Sequence, residues 1–264
     1  MFKNMKIGTR MGLGFGIVAA LLIIVSVVSL IRLSAVGKTV QVMVDDRMPK
    51  VTMVNGIIGD INVVARGMRN MMLLERKEDV LKEEERIKDA GKKVTDVLEE
   101  LKKVIHSEKG KEILQELNTA RAAYLMAAGD VRKLALEGKK KEATDILMNK
   151  VRPLQTVYIG AAEKLIKFQT ELMVEDGKNA ESLYESAMII ILALSAVAIL
   201  LTMVMAWWLT RSITRPINTC MDIATKVARG DTAVDIQVTS KDETGQLLSA
   251  MNQMVKNIQA MVSD

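Results

Sequence analysis

The side chains best suited to chemistry occur once each in this sequence, as a single cysteine, Cys220, and a single histidine, His106. One cysteine excludes a disulfide framework, and these two residues are too few for a zinc or haem site. No nucleophile is accompanied by a base, and no glycine-rich loop is placed to hold phosphate. We therefore expect no catalytic residues, no metal and no cofactor. Cys220 is expected to pack in a core, and His106 to lie on the surface at a helix end.

The charged residues predict a solvated surface rather than a binding site for nucleic acid. They make up 26% of the 264 residues and give a net charge of +5, but aromatic residues make up only 3%. Lysines without interleaved aromatic residues disfavour DNA or RNA as a partner. Acidic runs such as Glu83 to Glu85 are expected to be solvated helix surfaces with lysine partners four residues on.

Composition predicts an all-α protein. Hydrophobic residues make up 49% of the chain, which excludes a disordered protein because this content can bury enough surface to offset chain entropy. Only three prolines occur, and Leu, Ile, Val, Met, Glu, Lys and Ala dominate. This mixture is typical of long helices.

Two long stretches without charge predict transmembrane helices, at residues 11–31 and 187–209. Each exceeds the roughly 20 residues that a helix needs to cross about 30 Å of hydrocarbon. The first stretch could instead be a cleaved signal peptide. Its apolar core is longer than the roughly 7–15 residues of a signal sequence, so a retained anchor is favoured.

The basic residues that flank the two stretches predict the orientation of the chain. Lys3, Lys6 and Arg10 precede the first stretch, and Arg211 and Arg215 follow the second. Because short cytoplasmic segments carry an excess of Lys and Arg, residues 1–10 and the segment after the second span are expected in the cytoplasm. The long segment between the spans is then expected outside the membrane, in the periplasm.

Between the predicted spans, apolar residues recur at helical spacing in four stretches. Each stretch has one apolar stripe and a charged back, so the stripes must be buried against one another. The clearest stripe comprises Ile113, Leu117, Ala120, Tyr124, Ala127, Val131 and Leu134. The pattern predicts an antiparallel four-helix bundle at residues 32–186, with a tight connection at 107–110 and a last helix that begins near Pro153.

The segment 210–264 changes character after the second span. Arg215-Pro216-Ile217 opens a short amphipathic helix that Gly230 closes, and alternating apolar residues in 231–241 predict an extended connector. A second helix follows Asp242 with apolar residues in a heptad pattern. The heptad positions are Leu247, Met251, Met254, Ile258 and Met261.

Helix, connector and helix, with the box Asp242-Glu243-Thr244-Gly245, resemble the HAMP signalling module. Thr244 stands where that family usually has an aliphatic residue. The resemblance implies a dimer whose helices form a parallel four-helix coiled coil. The residues to which it assigns signalling are Pro216, Ile217, Ala224, Gly230, Asp242, Glu243, Gly245, Leu247, Met251 and Met254.

The rest of the chain resembles the sensor half of bacterial methyl-accepting chemotaxis proteins. The resemblance rests on the opening Phe2 to Arg10 with the glycines that follow it, on Arg47-Met48-Pro49, and on Val151-Arg152-Pro153-Leu154. It implies a homodimer in the bacterial inner membrane that binds a small solute between its two bundles. It also implies a cytoplasmic signalling domain that engages a coupling protein and a histidine kinase.

The same resemblance implies a ligand site on the first and fourth bundle helices. Arg69 aligns with a ligand-binding arginine of the aspartate-sensing member, Arg66 is one residue out of register with a second, and Asp60 takes the place of a third. These departures argue against aspartate but keep a pocket for a carboxylate or an amino acid. The candidate residues are Arg66, Arg69, Arg152, Gln155 and Tyr158. For Tyr158, as for Tyr124, a core position is the competing interpretation.

The expected mechanism is a shift of the fourth bundle helix that the second span relays to the HAMP helices. The heptad is still in phase at Asp264, so we expect the natural protein to continue into an output domain. A chemotaxis transducer is the first hypothesis. The sensor half of a histidine kinase or a diguanylate cyclase is the second, and a membrane-anchored coiled-coil adaptor is the third.

Overall fold

The structure is a computed structural model, and it describes residues 5–231, 234, 236–238 and 240–263. Within these ranges the chain has seven α-helices and no strand, which confirms the predicted all-α class. The helices are α1 (Ile7–Val42), α2 (Met48–Leu73), α3 (Lys77–Val104), α4 (Glu108–Leu136), α5 (Lys140–Ile146), α6 (Arg152–Ala228) and α7 (Glu243–Ser263). Residues 2–4 of the predicted N-terminal opening, Lys3 among them, lie outside the described residues.

Two short π-helical turns join consecutive helices. Met43–Arg47 lies between α1 and α2, and Leu147–Val151 lies between α5 and α6. The first turn ends at Arg47, and Pro49, at the start of α2, has no N–H group with which to bond the preceding turn. The chain divides into two compact units, Ala35–Leu183 and a unit built from residues up to Ser34 and from Tyr184 onward.

In the unit Ala35–Leu183, helices α2, α3, α4 and the first part of α6 form an antiparallel bundle. Arg121 of α4 bonds Thr95 of α3, whereas Arg132, further along α4, bonds the earlier residue Glu84. Later residues of one helix therefore meet earlier residues of the other.

The last bundle helix follows the same rule against α4. Lys164 of α6 bonds Glu116 of α4 at 2.5 Å, and the earlier Tyr158 packs against the later Tyr124. The four bundle helices thus alternate in direction as the sequence predicted.

The core of the bundle is built from the predicted apolar stripes. Its deeply buried side chains include Ile57, Ile61, Met68, Leu101, Ile113, Leu117, Tyr124, Val131, Tyr158 and Leu165. Burial of one large apolar side chain contributes about 1.5–3 kcal/mol relative to exposure, so these stripes supply the main force that closes the bundle. On α4 the predicted stripe is confirmed, with Ala120 and Leu134 partly buried at its edge.

Close approach of α2 and α3 depends on a glycine. A Cβ atom on Gly67 would lie 2.6 Å from Cγ1 of Ile87, well inside van der Waals contact. Any larger residue would force Ile87 or the helices to move, and cores tolerate such overpacking poorly.

The helix ends follow ordinary capping chemistry. Ser107 caps α4 by accepting a hydrogen bond from the Gly110 backbone N–H at 3.2 Å. Gly110 was predicted in the connection, but it lies in the first turn of α4, and the connection is 105–107. Gly138 ends α4 with a φ of 78°, a left-handed conformation that favours glycine. His106 is exposed just after α3, as predicted.

The second unit contains the apolar segments of α1 and α6. Each is long and apolar enough to cross a membrane, and within the chain only 6% of the first and 0% of the second segment is buried. The two helices meet at Gly14, where a Cβ atom would lie 3.0 Å from Met205 and 3.2 Å from Leu209. Helix α6 continues without interruption through Pro216 to Ala228.

A small core joins the end of α6, the connector and α7. Its buried members are Cys220, Ile223, Ile236, Leu248 and Val255. The described residues of the connector are neither helix nor strand, and Thr232, Ala233, Asp235 and Thr239 of the predicted connector lie outside the described residues. Gly230 turns the chain out of α6 with a φ of 86°.

Candidate functional site

The five predicted ligand residues occupy two different environments. Arg66, Arg69 and Arg152 are exposed, whereas Tyr158 is only 1% exposed and lies in the bundle core. Gln155 is partly exposed, and its Nε2 donates a hydrogen bond to Oδ1 of Asn62 at 3.3 Å. The structure therefore places Tyr158 in the core and the three arginines on the surface.

The bond between Asn62 and Gln155 sets the relative height of α2 and α6. Arg66 follows Asn62 by about one turn, and Arg152 precedes Gln155 by about one turn. Because the two helices are antiparallel, Arg66 and Arg152 lie at a similar height. Arg69 lies nearly one turn further, and its Nε donates to the Ala65 carbonyl at 3.1 Å. Two of the three arginines thus lie at a similar height on adjacent helices.

Tyr124 and Tyr158 form an aromatic pair inside the bundle. Their ring centroids are 5.6 Å apart with an interplanar angle of 42°, and each residue is 1% exposed. Neither hydroxyl has a hydrogen-bond partner among the described residues. Burial raises the pKa of Tyr158 to about 12 and also raises the pKa of Tyr124. The core interpretation of both tyrosines is confirmed.

Gln169 is a buried polar residue that the sequence pattern did not reveal. It lies on α6 at 2% exposure, and its Oε1 has no partner among the described residues. It follows Tyr158, Ala162 and Leu165 at three- and four-residue spacing on the same buried stripe of α6. A polar residue at a core position was missed because the interpretation of the stripe considered apolar residues alone.

Glu84 corrects the prediction that the acidic run 83–85 is a solvated helix surface. Its side chain is 9% exposed, and Arg132 of α4 donates to both carboxylate oxygens, with Nε on Oε2 at 2.8 Å and the second guanidinium nitrogen on Oε1. A lysine does lie four residues on, because Lys88 Nζ is 3.4 Å from Oε1. The two-pronged bond from another helix makes Glu84 part of the α3–α4 interface.

Replacing Arg132 with Met is expected to destabilise the bundle by about 1.5–3 kcal/mol, the value of hydrogen bonds to a charged group. Lys88→Met is the matched control, because the Lys88 side chain is 66% exposed and its loss should change stability by less than about 0.5 kcal/mol. Urea unfolding of both variants at pH 7 provides the comparison. Equal losses in the two variants would contradict the assigned role of Arg132.

The same pair predicts a pH dependence. Burial alone raises the pKa of Glu84, but the hydrogen bonds and charge of Arg132 outweigh it and lower the pKa below 4.5. A lowered pKa means that the pair stabilises the fold above pH 4.5 and that this contribution is lost as the pH falls further. The loss should be absent from Arg132→Met in unfolding experiments between pH 6 and pH 3.

A charged network links the first π-helical turn to α6. Arg47 Nε donates to Asp176 at 3.1 Å, and its guanidinium also bonds Asp46 at 3.0 Å. Lys50 Nζ donates to the second oxygen of Asp46 at 2.7 Å, while its aliphatic stem is buried. π-Helical turns often occur at functional positions, and this one positions charges between two long helices.

The predicted signalling residues at the end of α6 and in α7 divide between core and surface. Cys220 is 5% exposed, as predicted, and burial raises the pKa of its thiol. Ile217, Leu247 and Met254 are exposed by 46%, 47% and 43% in the single chain. The core within the chain contains Ile223, Leu248 and Val255, which the heptad did not identify, and the heptad residue Met251 packs against it.

Thr244 is the residue that departs from the usual aliphatic pattern, and the structure explains it. It is 3% exposed, and its hydroxyl donates to Oδ1 of Asp242 at 2.7 Å. The same oxygen accepts from Ser240 Oγ at 2.7 Å and from the Gly245 N–H at 3.0 Å. Thr244 thus adds a hydrogen bond to the turn that opens α7.

Comparison with known families identifies both parts of the chain. Residues 4–184 match the family described as the four helix bundle sensory module for signal transduction. Residues 208–260 match the HAMP domain. The chain therefore belongs to the four-helix-bundle sensory family and carries a HAMP domain, as the sequence resemblance indicated. Both are signalling modules without catalytic function of their own.

Two curated relatives agree with a sensory class. The chain is 26% identical over 148 residues to a putative sensory transducer protein of Acetivibrio thermocellus, which covers 55% of this chain and 26% of that protein. It is 34% identical over 96 residues to the sensor protein SrrB of Staphylococcus aureus, which covers 36% of this chain and 16% of that protein. The chain thus spans about a quarter or less of the length of either relative.

Proposed function

We propose that this chain is the sensing and relaying half of a transmembrane chemoreceptor of the methyl-accepting chemotaxis type. It senses a small extracytoplasmic solute, an organic acid or an amino acid, and passes a helix shift through HAMP to a cytoplasmic signalling domain. The observation that carries the proposal is α6, one unbroken helix from the bundle residue Arg152 to the HAMP residue Ala228. A helix can transmit a shift of about 1–2 Å along its axis without chemistry.

The proposed membrane placement rests on apolar surface that the chain itself does not cover. The apolar segments of α1 and α6 are almost fully exposed within the chain. Exposed apolar area of this extent is costly in water, so lipid is the natural solvent for these helices. The proposal places both chain ends in the cytoplasm and the bundle in the periplasm of a bacterial inner membrane.

The proposed homodimer rests on a second uncovered surface. Leu247, Met254 and Met261 repeat every seven residues on α7 and are all exposed in the single chain. An apolar residue at every seventh position is the pattern that pairs helices in coiled coils. A second copy would cover this stripe and complete a parallel four-helix HAMP bundle.

The ligand is proposed to be a carboxylate held by Arg66, Arg69 and Arg152, with Gln155 beside them. A ligand at 100 times its dissociation constant should stabilise the segment 35–183 by about 2.7 kcal/mol. Thermal melting against organic acids and amino acids tests this. Arg69→Ala is expected to abolish the shift, and Arg86→Ala, which changes a half-exposed arginine of α3, to leave it unchanged.

The role of Tyr158 is tested by the same experiment. If the ligand reached its buried hydroxyl, Tyr158→Phe would weaken the shift. If the ligand stays at the exposed arginines, Tyr158→Phe will bind as tightly as the natural chain. A shift that survives every arginine substitution would refute the anion site.

A second candidate function is the sensor half of a membrane histidine kinase or diguanylate cyclase. Similarity to a protein named as a sensor, SrrB, supports it. The gene sequence beyond codon 264 separates the two. Long heptads with Glu and Gln pairs favour the receptor, together with its coupling protein and kinase partners, and a nucleotide-binding domain favours the enzyme.

A further inference from the structure

The box that opens α7 binds the start of α1, more than 230 residues earlier in the chain. The Arg10 guanidinium donates to Oδ2 of Asp242, and both side chains are almost fully buried, at 3% and 2% exposure. One residue along, Glu243 Oε2 accepts the backbone N–H of Ile7 at 2.8 Å. Arg10 Nε also bonds the carbonyl of Met5 at 2.8 Å. We call these five residues the amino-terminal clamp.

Local capping explains only part of this arrangement. Asp242 precedes the first residue of α7, and its Oδ1 accepts the N–H of Gly245, as in an ordinary helix cap. That role requires one carboxylate oxygen and no distant partner. The second oxygen is committed to Arg10, which a cap does not need.

The hydrogen bond that Ile7 donates to Glu243 has a separate physical cause. Ile7 is the first residue of α1, and the first N–H groups of a helix have no partner within it. A carboxylate at this position is favoured by the hydrogen bond and by the helix dipole. The N–H bond to Glu243 lowers the pKa of its carboxyl, so the group is ionised at neutral pH. The first turn of α1 is therefore held by two consecutive acidic residues, Asp242 just before α7 and Glu243 at its first position.

The path from α6 to α7 is different in kind. Helix α6 ends at Ala228, and α7 begins at Glu243 after a connector whose described residues are irregular. An irregular connector changes its length more readily than a buried ion pair changes its geometry. Against α1, α6 is packed at Gly14, where Met205 and Leu209 approach closely.

We infer that the amino-terminal clamp fixes the start of α7 to the start of α1. The HAMP segment then reads the displacement of α6 relative to α1, rather than the position of α6 alone. This inference rests on the proposed relay function and adds the reference point against which the shift is measured. In addition to acting as a topological signal, the N-terminal segment before the first span then holds α7 in place during the relay.

Hydrogen exchange of the α7 amides in the 264-residue chain, reconstituted in lipid nanodiscs without ligand, tests the clamp. Arg10→Gln and Asp242→Asn should each speed exchange of residues 243–250 at least about tenfold, the factor expected for a lost hydrogen bond between charged groups. Asn caps helices as well as Asp does, so D242N isolates the ion pair. The double variant should exchange no faster than the faster single variant, because both remove one bond.

Arg211→Gln is the matched control, since Arg211 is exposed at the end of the second apolar segment and stacks over Trp207 at 5.3 Å. Its α7 amides should exchange at the natural rate. Unchanged protection of α3 and α4 in every variant shows that the bundle is folded. If the amides of residues 243–250 exchange at the natural rate in R10Q, or exchange faster only in D242N, Asp242 acts as a local cap and the inference is overturned.

A second pair of variants tests the reference role itself. Gly14→Leu should displace α1 from α6 and change the exchange rate of the α7 amides at least about twofold. Gly16→Leu should leave that rate unchanged, because no atom lies within 4 Å of a Cβ added at Gly16. In an R10Q background, G14L should have no further effect. An equal effect with and without Arg10 would refute transmission through α1. Ligand-induced stabilisation of the bundle is measured separately, so the relay proposal and the clamp can fail independently.

Discussion

Tyr124→Ala is expected to destabilise the bundle by about 3–5 kcal/mol, the usual cost of removing a large aromatic side chain from a core. The ring lies at 1% exposure against Tyr158, and its removal leaves a cavity between α4 and α6. Urea unfolding of the segment 35–183, followed by circular dichroism, measures the loss. Leu125→Ala is the control from the next position of α4, where the side chain is 42% exposed.

Tyr124→Phe is expected to stabilise the bundle, the opposite effect to that of Tyr124→Ala. It keeps the ring and removes a buried hydroxyl that has no partner among the described residues, so stability should rise by about 1 kcal/mol. A loss of stability in this variant would mean that the hydroxyl makes a hydrogen bond in solution. Together the two variants separate the packing of the ring from the cost of its polar atom.

The aromatic pair also predicts alkaline instability. Burial raises the pKa of Tyr158 to about 12 in the folded bundle, whereas the unfolded chain ionises near 10. A raised pKa of an acid means that its contribution to stability is complete below pH 10 and is lost as the pH rises towards 12. The segment 35–183 holds two of the three tyrosines of the chain, so the fall in its free energy of unfolding between pH 10 and about pH 12 should be smaller in Tyr158→Phe.

The helices and the core stripes could be predicted from the sequence because each depends on local periodicity. The stripe from Ile113 to Leu134 is buried as predicted, and its Tyr124 packs in the core against Tyr158 of α6. The antiparallel order of the bundle helices could be predicted because their four apolar stripes must face one another. The connection at 107–110 was misplaced because Ser107 caps a helix that already includes Gly110.

Contacts between distant segments could not be predicted in the same way. Glu84 looks like a solvated acid in its own helix, and only the position of Arg132 on α4 shows otherwise. The neighbours of Arg10 in the sequence indicate only a topological signal, and the fold alone brings Arg10 to Asp242. Periodicity identifies which face of a helix is buried, but it does not identify the partner of a charged group.

The candidate ligand residues illustrate the same limit. Resemblance supplied Arg66, Arg69 and Arg152, and the structure places two of them at a similar height on adjacent helices. It also places Tyr158 in the core, where spacing alone had left both interpretations open. The alternation of α6 between buried and exposed positions decides which of its residues a solute can reach.

Gly245→Ala is expected to break the turn that opens α7. An added Cβ atom would lie 1.9 Å from the carbonyl oxygen of Ser240, and that atom belongs to the backbone, so no side-chain rotation relieves the clash. Moving Ser240 away disrupts the hydrogen bonds that Ser240, Thr244 and Gly245 donate to Asp242. Because each such bond is worth about 1 kcal/mol, the variant should destabilise α7 by about 3 kcal/mol.

Tryptic cleavage after Lys256 measures this effect, since an exposed lysine within a helix is cut only when the helix opens. A loss of about 3 kcal/mol raises the open population roughly 100-fold, and the cleavage rate should follow. Gly16→Ala is the control, because no atom lies within 4 Å of its added Cβ. Equal cleavage in G245A and the natural chain would mean that the glycine is not required by this turn. Faster cleavage would identify a steric requirement at Gly245, since a helix start without this clash accepts alanine readily.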